Sequence, residues 1–256
     1  MGEEPYRPWC QQSCPKTRPR YTRKGCTALR ILAVAAHPDD ETLGAGGTLA
    51  LHAARGDETF VMILADGVTS RHNEVEQQEK CARRACDVLG VKDVVFAQLP
   101  DQRLDALPLI DVITPIEDCI RTYQPDVVLT HFGQDANQDH RTVFRAVLVA
   151  TRPLPGISVK RVLCWETASS TEWAPPFPGS VFSPNVFVDI TPTLSHKMHA
   201  MAAYADTFVS EVREYPHPRS YRALVATARR HGATVGVRAA EPFMLVRDVA
   251  TDGLRT

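Results

Sequence analysis

The chain has 256 residues, of which 44% are hydrophobic, and its net charge of −1 and pI near 6.7 argue against nucleic acid or an acidic membrane surface as partners. No apolar run approaches the roughly 18 residues of a membrane helix, the N-terminus lacks the apolar region of a signal peptide, and the cysteines show no disulfide spacing. We therefore predict a globular, cytoplasmic protein without a nucleic-acid or membrane partner.

Residues 1–27 form a basic, proline-rich segment with little apolar content. Charge runs without periodicity rarely pack, so we predict a disordered leader, with docking onto a partner or over the site as the alternative. Cys10, Cys14 and Cys26 could supply part of a zinc site, but no fourth Cys or His lies nearby. Residues 28–256 are predicted to form a single domain.

Strand-like and helix-like stretches alternate through this domain. The strand candidates are mostly continuous apolar runs, which is typical of strands buried on both faces. They are Ile31–Ala35, Phe60–Ala65, Val94–Ala97, Val127–Thr130, Val162–Trp165 and Val186–Ile190, with a further apolar stretch at Pro242–Val246. The helix candidates are Thr48–Arg55, Glu74–Leu89, Leu109–Tyr123, His140–Ala150, Thr193–Phe208 and Tyr221–His231. This alternation predicts an α/β fold, a doubly wound, mostly parallel, Rossmann-like sheet with helices on both faces.

Three polar clusters follow predicted strands. They are His-Pro-Asp-Asp at 37–40, Asp-Gly at 66–67, and the run from His131 to His140. In open α/β sheets, ligands bind beyond the carboxyl ends of the strands, near the point where the strand order reverses. These clusters are therefore the candidates for a functional site.

The first and third clusters contain residue types that bind metal ions. His37 and Asp40 are three residues apart across a turn that contains proline, so an imidazole nitrogen and a carboxylate oxygen can converge on one ion. His140 completes a two-His, one-carboxylate set that leaves a position for water and favours zinc, although iron(II) can use the same three residues. Asp39 points in another direction from the turn and is the candidate general base.

The polar run that precedes His140 also contains candidates for a helix cap. Asn137 or Asp135 could cap a helix whose first turn holds His140, and the helix dipole there disfavours a protonated imidazole. A neutral imidazole is the form that binds a metal ion.

Each of these signals has a simpler explanation when it is taken alone. The His-Pro-Asp-Asp sequence could be a turn in which Asp caps the next helix, an isolated helical His is more often exposed or hydrogen-bonded, and Asp-Gly is usually a turn. Their combination at the strand ends of one sheet favours a metal site.

The motif Ala-His-Pro-Asp-Asp-Glu at 36–41, followed by Gly-x-Gly-Gly at 44–47 and by Asn-x-Asp-His at 137–140, resembles the PIG-L, or LmbE-like, family of zinc-dependent N-deacetylases. The similarity extends from about residue 29 to residue 245. It implies that His37, Asp40 and His140 are the zinc ligands, that Asp39 is the base, and that Asp139 is a carboxylate that supports the site.

The resemblance also implies a substrate, an N-acetylglucosamine-type sugar in a small glycoside, nucleotide sugar or natural-product intermediate, from which the acetyl group is removed. Relatives often carry a His at the position of Asn137, where it is thought to stabilise the oxyanion. Asn137 can donate a neutral hydrogen bond there but cannot transfer a proton. Arg71 and His217 are the candidates for substrate binding, although a solvated loop Arg is an equally good explanation of Arg71.

Two other functions are also compatible with the sequence. One is an amidase that removes a longer acyl group at the same metal site. The other is a non-catalytic module that binds a sugar or nucleotide, against which stands the absence of a Gly-x-Gly-x-x-Gly loop after the first strand. Whether the subunits form a homo-oligomer is also open.

Overall fold

The computed structural model describes residues 28–67, 74–177, 179–205 and 211–250. The strands are β1 (Arg30–Ala35), β2 (Glu58–Ala65), β3 (Asp93–Leu99), β4 (Val127–His131), β5 (Arg161–Trp165), β6 (Val186–Asp189) and β7 (Ala240–Asp248). The helices are α1 (Asp40–Arg55), α2 (Val75–Leu89), α3 (Leu109–Tyr123), α4 (Gln138–Ala150), α5 (Leu194–Ala202) and α6 (Tyr221–Thr234). Short 3-10 turns occur at Leu104–Ala106 and Thr171–Trp173.

All seven strands of the described residues form one sheet in the order β3-β2-β1-β4-β5-β7-β6. The first five strands in this order are parallel, whereas β7 is antiparallel to both β5 and β6. The prediction of a mostly parallel, doubly wound sheet is confirmed. The chain leaves β1 toward β2 and β3 and later returns to β4, so the strand order reverses between β1 and β4, where this fold binds ligands.

Helices cover both faces of the sheet, as predicted. On one face, α1, α2 and α5 bury apolar side chains against the strands, among them Leu49, Ala85 and Ala200. On the other face, α3 and α4 do so through residues such as Ile116 and Val143. The parallel strands are buried on both sides because helices lie over both, which explains their continuous apolar runs.

Helix α1 begins at Asp40, well before the predicted start at Thr48. The glycine-rich run at 44–47, which precedes the predicted start, is buried inside this helix. Gly44 lies so close to the sheet that a Cβ atom there would come within 2.3 Å of the Trp165 ring. Tertiary packing therefore overrides the low helix propensity of glycine.

Other differences concern the C-terminal part of the chain. The apolar stretch predicted at Pro242–Val246 belongs to β7, which inserts between β5 and β6. Helix α5 ends at Ala202, earlier than predicted. The backbone N–H of Ala203 donates to the Ala200 carbonyl, which forms a turn in place of a further helical turn.

None of the helices in the described part of the chain is long and apolar enough to cross a membrane. The leader at 1–27, with its three cysteines, lies outside the described residues, and the domain boundary stays a prediction.

Candidate metal centre

His37, Asp40 and His140 meet where the strand order reverses. The loop after β1 carries His37 into the first turn of α1, where Asp40 lies, and the loop after β4 leads into α4 with His140. The Asp40 carboxylate oxygen Oδ2 lies 3.2 Å from His37 Nδ1 and 3.3 Å from His140 Nε2. One ligand atom from each of the three residues lies within 4.8 Å of the other two. The three residues that the sequence predicted as ligands are therefore close enough to hold one ion.

Two polar atoms of this cluster have no hydrogen-bond partner within the described residues. They are Asp40 Oδ1 and His140 Nε2, and both side chains are only 1% exposed. Leaving a buried polar atom unsatisfied costs about 1–3 kcal/mol. A cation bound between these side chains would satisfy both atoms, so the residues present fit a metal ion.

A carboxylate lies behind each histidine of the cluster. His37 Nε2 lies 3.1 Å from Asp139 Oδ2, and His140 Nδ1 lies 3.1 Å from Asp135 Oδ1. Such carboxylates fix the tautomer and the orientation of a metal-binding imidazole. They direct His37 Nδ1 and His140 Nε2 toward Asp40. Asp139 thus makes the contact that a supporting role requires.

A second set, His37, Asp101 and Asp139, also has the spacing of a metal site. Its shared histidine would use Nε2, which lies 3.4 Å from Asp101 Oδ1. However, Asp139 already accepts the backbone N–H groups of Gln102, at 2.8 Å, and Leu104, at 3.1 Å. Among the described residues, neither carboxylate of this set contributes an unsatisfied buried atom. We interpret it as support for His37 rather than as a separate site.

The charges around the two histidines favour a cation. Burial lowers the pKa of His37, but hydrogen bonds to Asp139 and Asp40 outweigh it and raise this pKa to about 10. Burial also opposes protonation of His140, yet the Asp40 charge and the Asp135 contact leave its pKa raised. The same negative potential that holds these protons would stabilise a metal ion, which would release the protons on binding.

Asp39 lies beside the cluster but outside the ligand set. Its backbone has a φ of 114°, which non-glycine residues rarely adopt. The backbone is held because Asp39 N–H donates to Glu41 Oε2 at 3.1 Å and the Asp39 carbonyl accepts from Leu43 at 2.8 Å. Its carboxylate accepts from Arg219 at 2.6 Å. Burial raises the pKa of Asp39 well above its usual range, although the Arg219 charge opposes this rise.

Asn137 caps helix α4. The sequence predicted either Asn137 or Asp135 for this position. Its side-chain Oδ1 accepts the backbone N–H of Asp139 at 2.9 Å. Asp135, the other candidate, instead accepts from Ser170 Oγ and from Thr171 Oγ1 while it contacts His140. An oxyanion contact would have to come from Nδ2 of Asn137, because the amide oxygen Oδ1 only accepts hydrogen bonds and already holds the cap.

His131 is a buried residue of the site for which the sequence predicted no role. Its Nε2 accepts the backbone N–H of Ala36 at 2.9 Å, and its ring stacks on His140 with 3.9 Å between ring centroids. Burial, together with the neighbouring His140, lowers its pKa to about 3, so His131 is neutral. Nδ1 then carries the proton and donates to Thr167 Oγ1 at 3.2 Å. In the sequence, the feature that could have indicated a role for His131 in the site is its position at the carboxyl end of a strand.

The remaining predictions concern the Asp-Gly pair at 66–67, His217 and Arg71. Gly67 packs on Pro38, since a Cβ atom there would lie 2.6 Å from the proline ring, so Gly67 supports the loop of the first cluster. His217 Nδ1 accepts the backbone N–H of Arg219 at 3.1 Å, and its ring lies 6.1 Å from that of Trp173. Arg71 lies outside the described residues.

Replacing Asp135 with Asn is expected to weaken metal affinity by about 10- to 100-fold, because the amide cannot replace a carboxylate behind His140. Competition with a chromogenic chelator measures this affinity. Asp118→Asn, an exposed change on α3, is the matched control and should leave the affinity unchanged. Equal affinity of Asp135→Asn and the wild type would contradict the orienting role of Asp135.

The chain is similar to a family of de-N-acetylases and to individual deacetylases. Residues 32–151 match the family described as PIG-L, GlcNAc-PI de-N-acetylase. The chain is 34% identical to the uncharacterized deacetylase YaiS of Escherichia coli K12, over 55% of this chain and 75% of that protein. It is 26% identical to the diacetylchitobiose deacetylase of Thermococcus kodakarensis, over 85% and 83% of the two chains.

A solved structure has a similar fold. The conserved protein TT1542 of Thermus thermophilus superimposes with a TM-score of 0.69 at 26% identity, covering 89% of this chain and all of that one. The matched sequence segment contains every residue of the His37, Asp40 and His140 cluster. The chain belongs to the PIG-L family of de-N-acetylases, as its motifs predicted.

Proposed function

We propose that this protein is a zinc-dependent N-deacetylase that hydrolyses the acetamide of an N-acetylglucosamine-type sugar in a small glycoside, nucleotide sugar or natural-product intermediate. One observation carries the proposal: a buried His-Asp-His cluster, with two ligand atoms that no described residue satisfies, lies next to a further buried carboxylate, Asp39. Family membership and deacetylase relatives support the same reaction.

Zinc is the proposed ion because two imidazoles and one carboxylate suit its borderline character, and iron(II) is the alternative with the same ligands. Held by His37, Asp40 and His140, it would polarise the acetamide carbonyl and make the attacking water more acidic.

The protein's own groups would move the proton. Asp39 takes a proton from water as the water oxygen attacks the carbonyl carbon. When the C–N bond breaks, Asp39 gives that proton to the amine nitrogen, which leaves acetate and the free amino sugar. Burial raises the pKa of Asp39, and a carboxylate whose pKa is raised holds the proton long enough to deliver it.

Three side chains are proposed to contact the substrate. The Asn137 amide would donate from Nδ2 to the oxygen that gains negative charge, while its Oδ1 keeps the helix cap. His217 and Arg71 would contact the sugar. For His217, the support is its contact with Arg219, which in turn reaches Asp39. A cytoplasmic location and a possible association of subunits remain predictions.

A comparison of acyl groups tests the proposal against the amidase alternative. Methyl glycosides of N-acetyl-, N-propionyl- and N-butyrylglucosamine are supplied to the zinc-loaded protein, and the free amine is measured. We expect the acetyl compound to have the highest kcat/KM. A preference for the butyryl compound would favour the amidase, and a stoichiometric metal without turnover of any member would contradict the proposed deacetylase.

A further inference from the structure

Arg219 connects three separate segments beside the metal centre. It lies two residues before the start of α6, and its Nη1 donates to Asp39 Oδ2 and to Glu211 Oε2, each at 2.6 Å. Its Nε donates to Ser169 Oγ at 2.7 Å, in the segment after β5. The Arg219 side chain is only 18% exposed. A guanidinium that is this enclosed and holds several partners has little freedom to leave Asp39.

The Asp39 backbone is fixed independently of this contact. Glu41 accepts the Asp39 N–H, and Glu41 is in turn held by the hydroxyl groups of Thr42, at 2.6 Å, and Tyr204, at 2.7 Å. These contacts maintain the unusual φ at Asp39, which costs energy and persists only where the surroundings impose it. They set the position of the Cα atom but not the direction in which the carboxylate points.

We infer that Arg219 is a positioning residue that holds the Asp39 carboxylate in the direction needed to take a proton from the reacting water, with Glu211 holding Arg219 in turn. The inference rests on the proposed function. Arg219 lies 180 positions from Asp39 in the chain, so the general base is completed only when the C-terminal part of the chain folds against the first loop.

The geometry requires arginine rather than any cation. One guanidinium nitrogen serves the two carboxylates while another reaches Ser169, and this planar arrangement orients the group. A lysine ammonium could retain the charge near Asp39, but it lacks the planar fork that contacts Ser169 at the same time. Glu211 also shares the charge of Arg219, so Asp39 is oriented without being fully neutralised.

The kinetic test compares Arg219→Ala, Arg219→Lys and the control Arg213→Ala, whose side chain is exposed in the same segment. We expect kcat for acetate release to fall about 100-fold in Arg219→Ala, because the reaction slows by about this factor when a catalytic group points in the wrong direction. KM should stay within about 3-fold of the wild type, and the metal content should not change. Guanidinium ions should restore part of kcat, whereas ammonium at the same ionic strength should not.

Arg219→Lys should fold even if Arg219→Ala does not. It should also lower kcat while KM stays close to the wild-type value, but the loss of kcat should be smaller than in Arg219→Ala. Arg213→Ala should behave as the wild type. A kcat that is unchanged in Arg219→Ala, a loss that appears only in KM, or a loss that follows the metal content would each overturn the positioning role.

Urea unfolding of the metal-free protein gives a second readout that does not depend on activity. We expect the effects of Arg219→Ala and Asp39→Asn to be non-additive in the double variant, because the two side chains are in direct contact. Additive effects would overturn the inference. A wild-type enzyme that releases no acetate overturns the proposed function and the positioning role together, whereas an active wild type with an equally active Arg219→Ala variant overturns the positioning role alone.

Discussion

Replacing Asp39 with Asn is expected to lower kcat for deacetylation by about 10²- to 10⁴-fold, the range that a general base contributes. The amide has nearly the same shape as the carboxylate but cannot accept the proton of the attacking water. Asp39 is not among the residues whose atoms converge on the ion site, so the metal content should remain at the wild-type level. Steady-state acetate release and metal analysis of the same preparation measure both quantities.

Asp118→Asn provides the control for this change, since it also removes a carboxylate but lies exposed on α3. It should leave both kcat and metal content unchanged. If Asp39→Asn retains wild-type activity, Asp39 is not the base. If the variant loses its metal, Asp39 belongs to the ligand set, and the division between metal ligands and base is wrong.

Replacing His140 with Ala is expected to remove the bound metal and with it the activity. Its Nε2 is one of the two buried atoms of the cluster that have no partner among the described residues and that the ion would bind. The loss of a ligand should exceed the roughly 10- to 100-fold weakening expected when only a supporting carboxylate is changed. Chelator competition measures the affinity, and acetate release measures the activity.

His52→Ala is a suitable control, because His52 pairs with Asp57 at the far end of α1. It should bind metal as the wild type does. Tight binding of one metal ion by His140→Ala would contradict the assignment of the ligands. That result would favour the second set, His37 with Asp101 and Asp139, as the true metal site.

The sequence predicted the parts of the fold and the site that depend on local patterns. Strands buried on both faces have continuous apolar runs, so β1 and β4 could be located, and with them the loops that carry His37 and His140. Because parallel strands place their carboxyl ends at one edge of the sheet, the convergence of these loops followed from the topology. The cap at Asn137 also followed from local sequence.

Contacts between distant segments could not be predicted in this way. The Asp135–His140 contact, the stacking of His131 on His140, and the pairing of Arg219 with Asp39 depend on how loops pack, and no periodicity in the sequence encodes them. The early start of α1 likewise depends on the close approach of a glycine to Trp165. Such features follow from tertiary packing, which overrides local propensity.

The most direct test of the central claim is a metal titration of the metal-free protein. Zinc is added in substoichiometric steps while acetate and free amine are measured from a methyl glycoside of N-acetylglucosamine. The ligand set formed by His37, Asp40 and His140 predicts no turnover without metal and a linear rise in activity that ends at one ion per chain, with acetate and amine released in equal amounts. Full acetate release by the metal-free protein, or no acetate release from the fully loaded protein, would contradict the assignment of this site as a metal-dependent N-deacetylase.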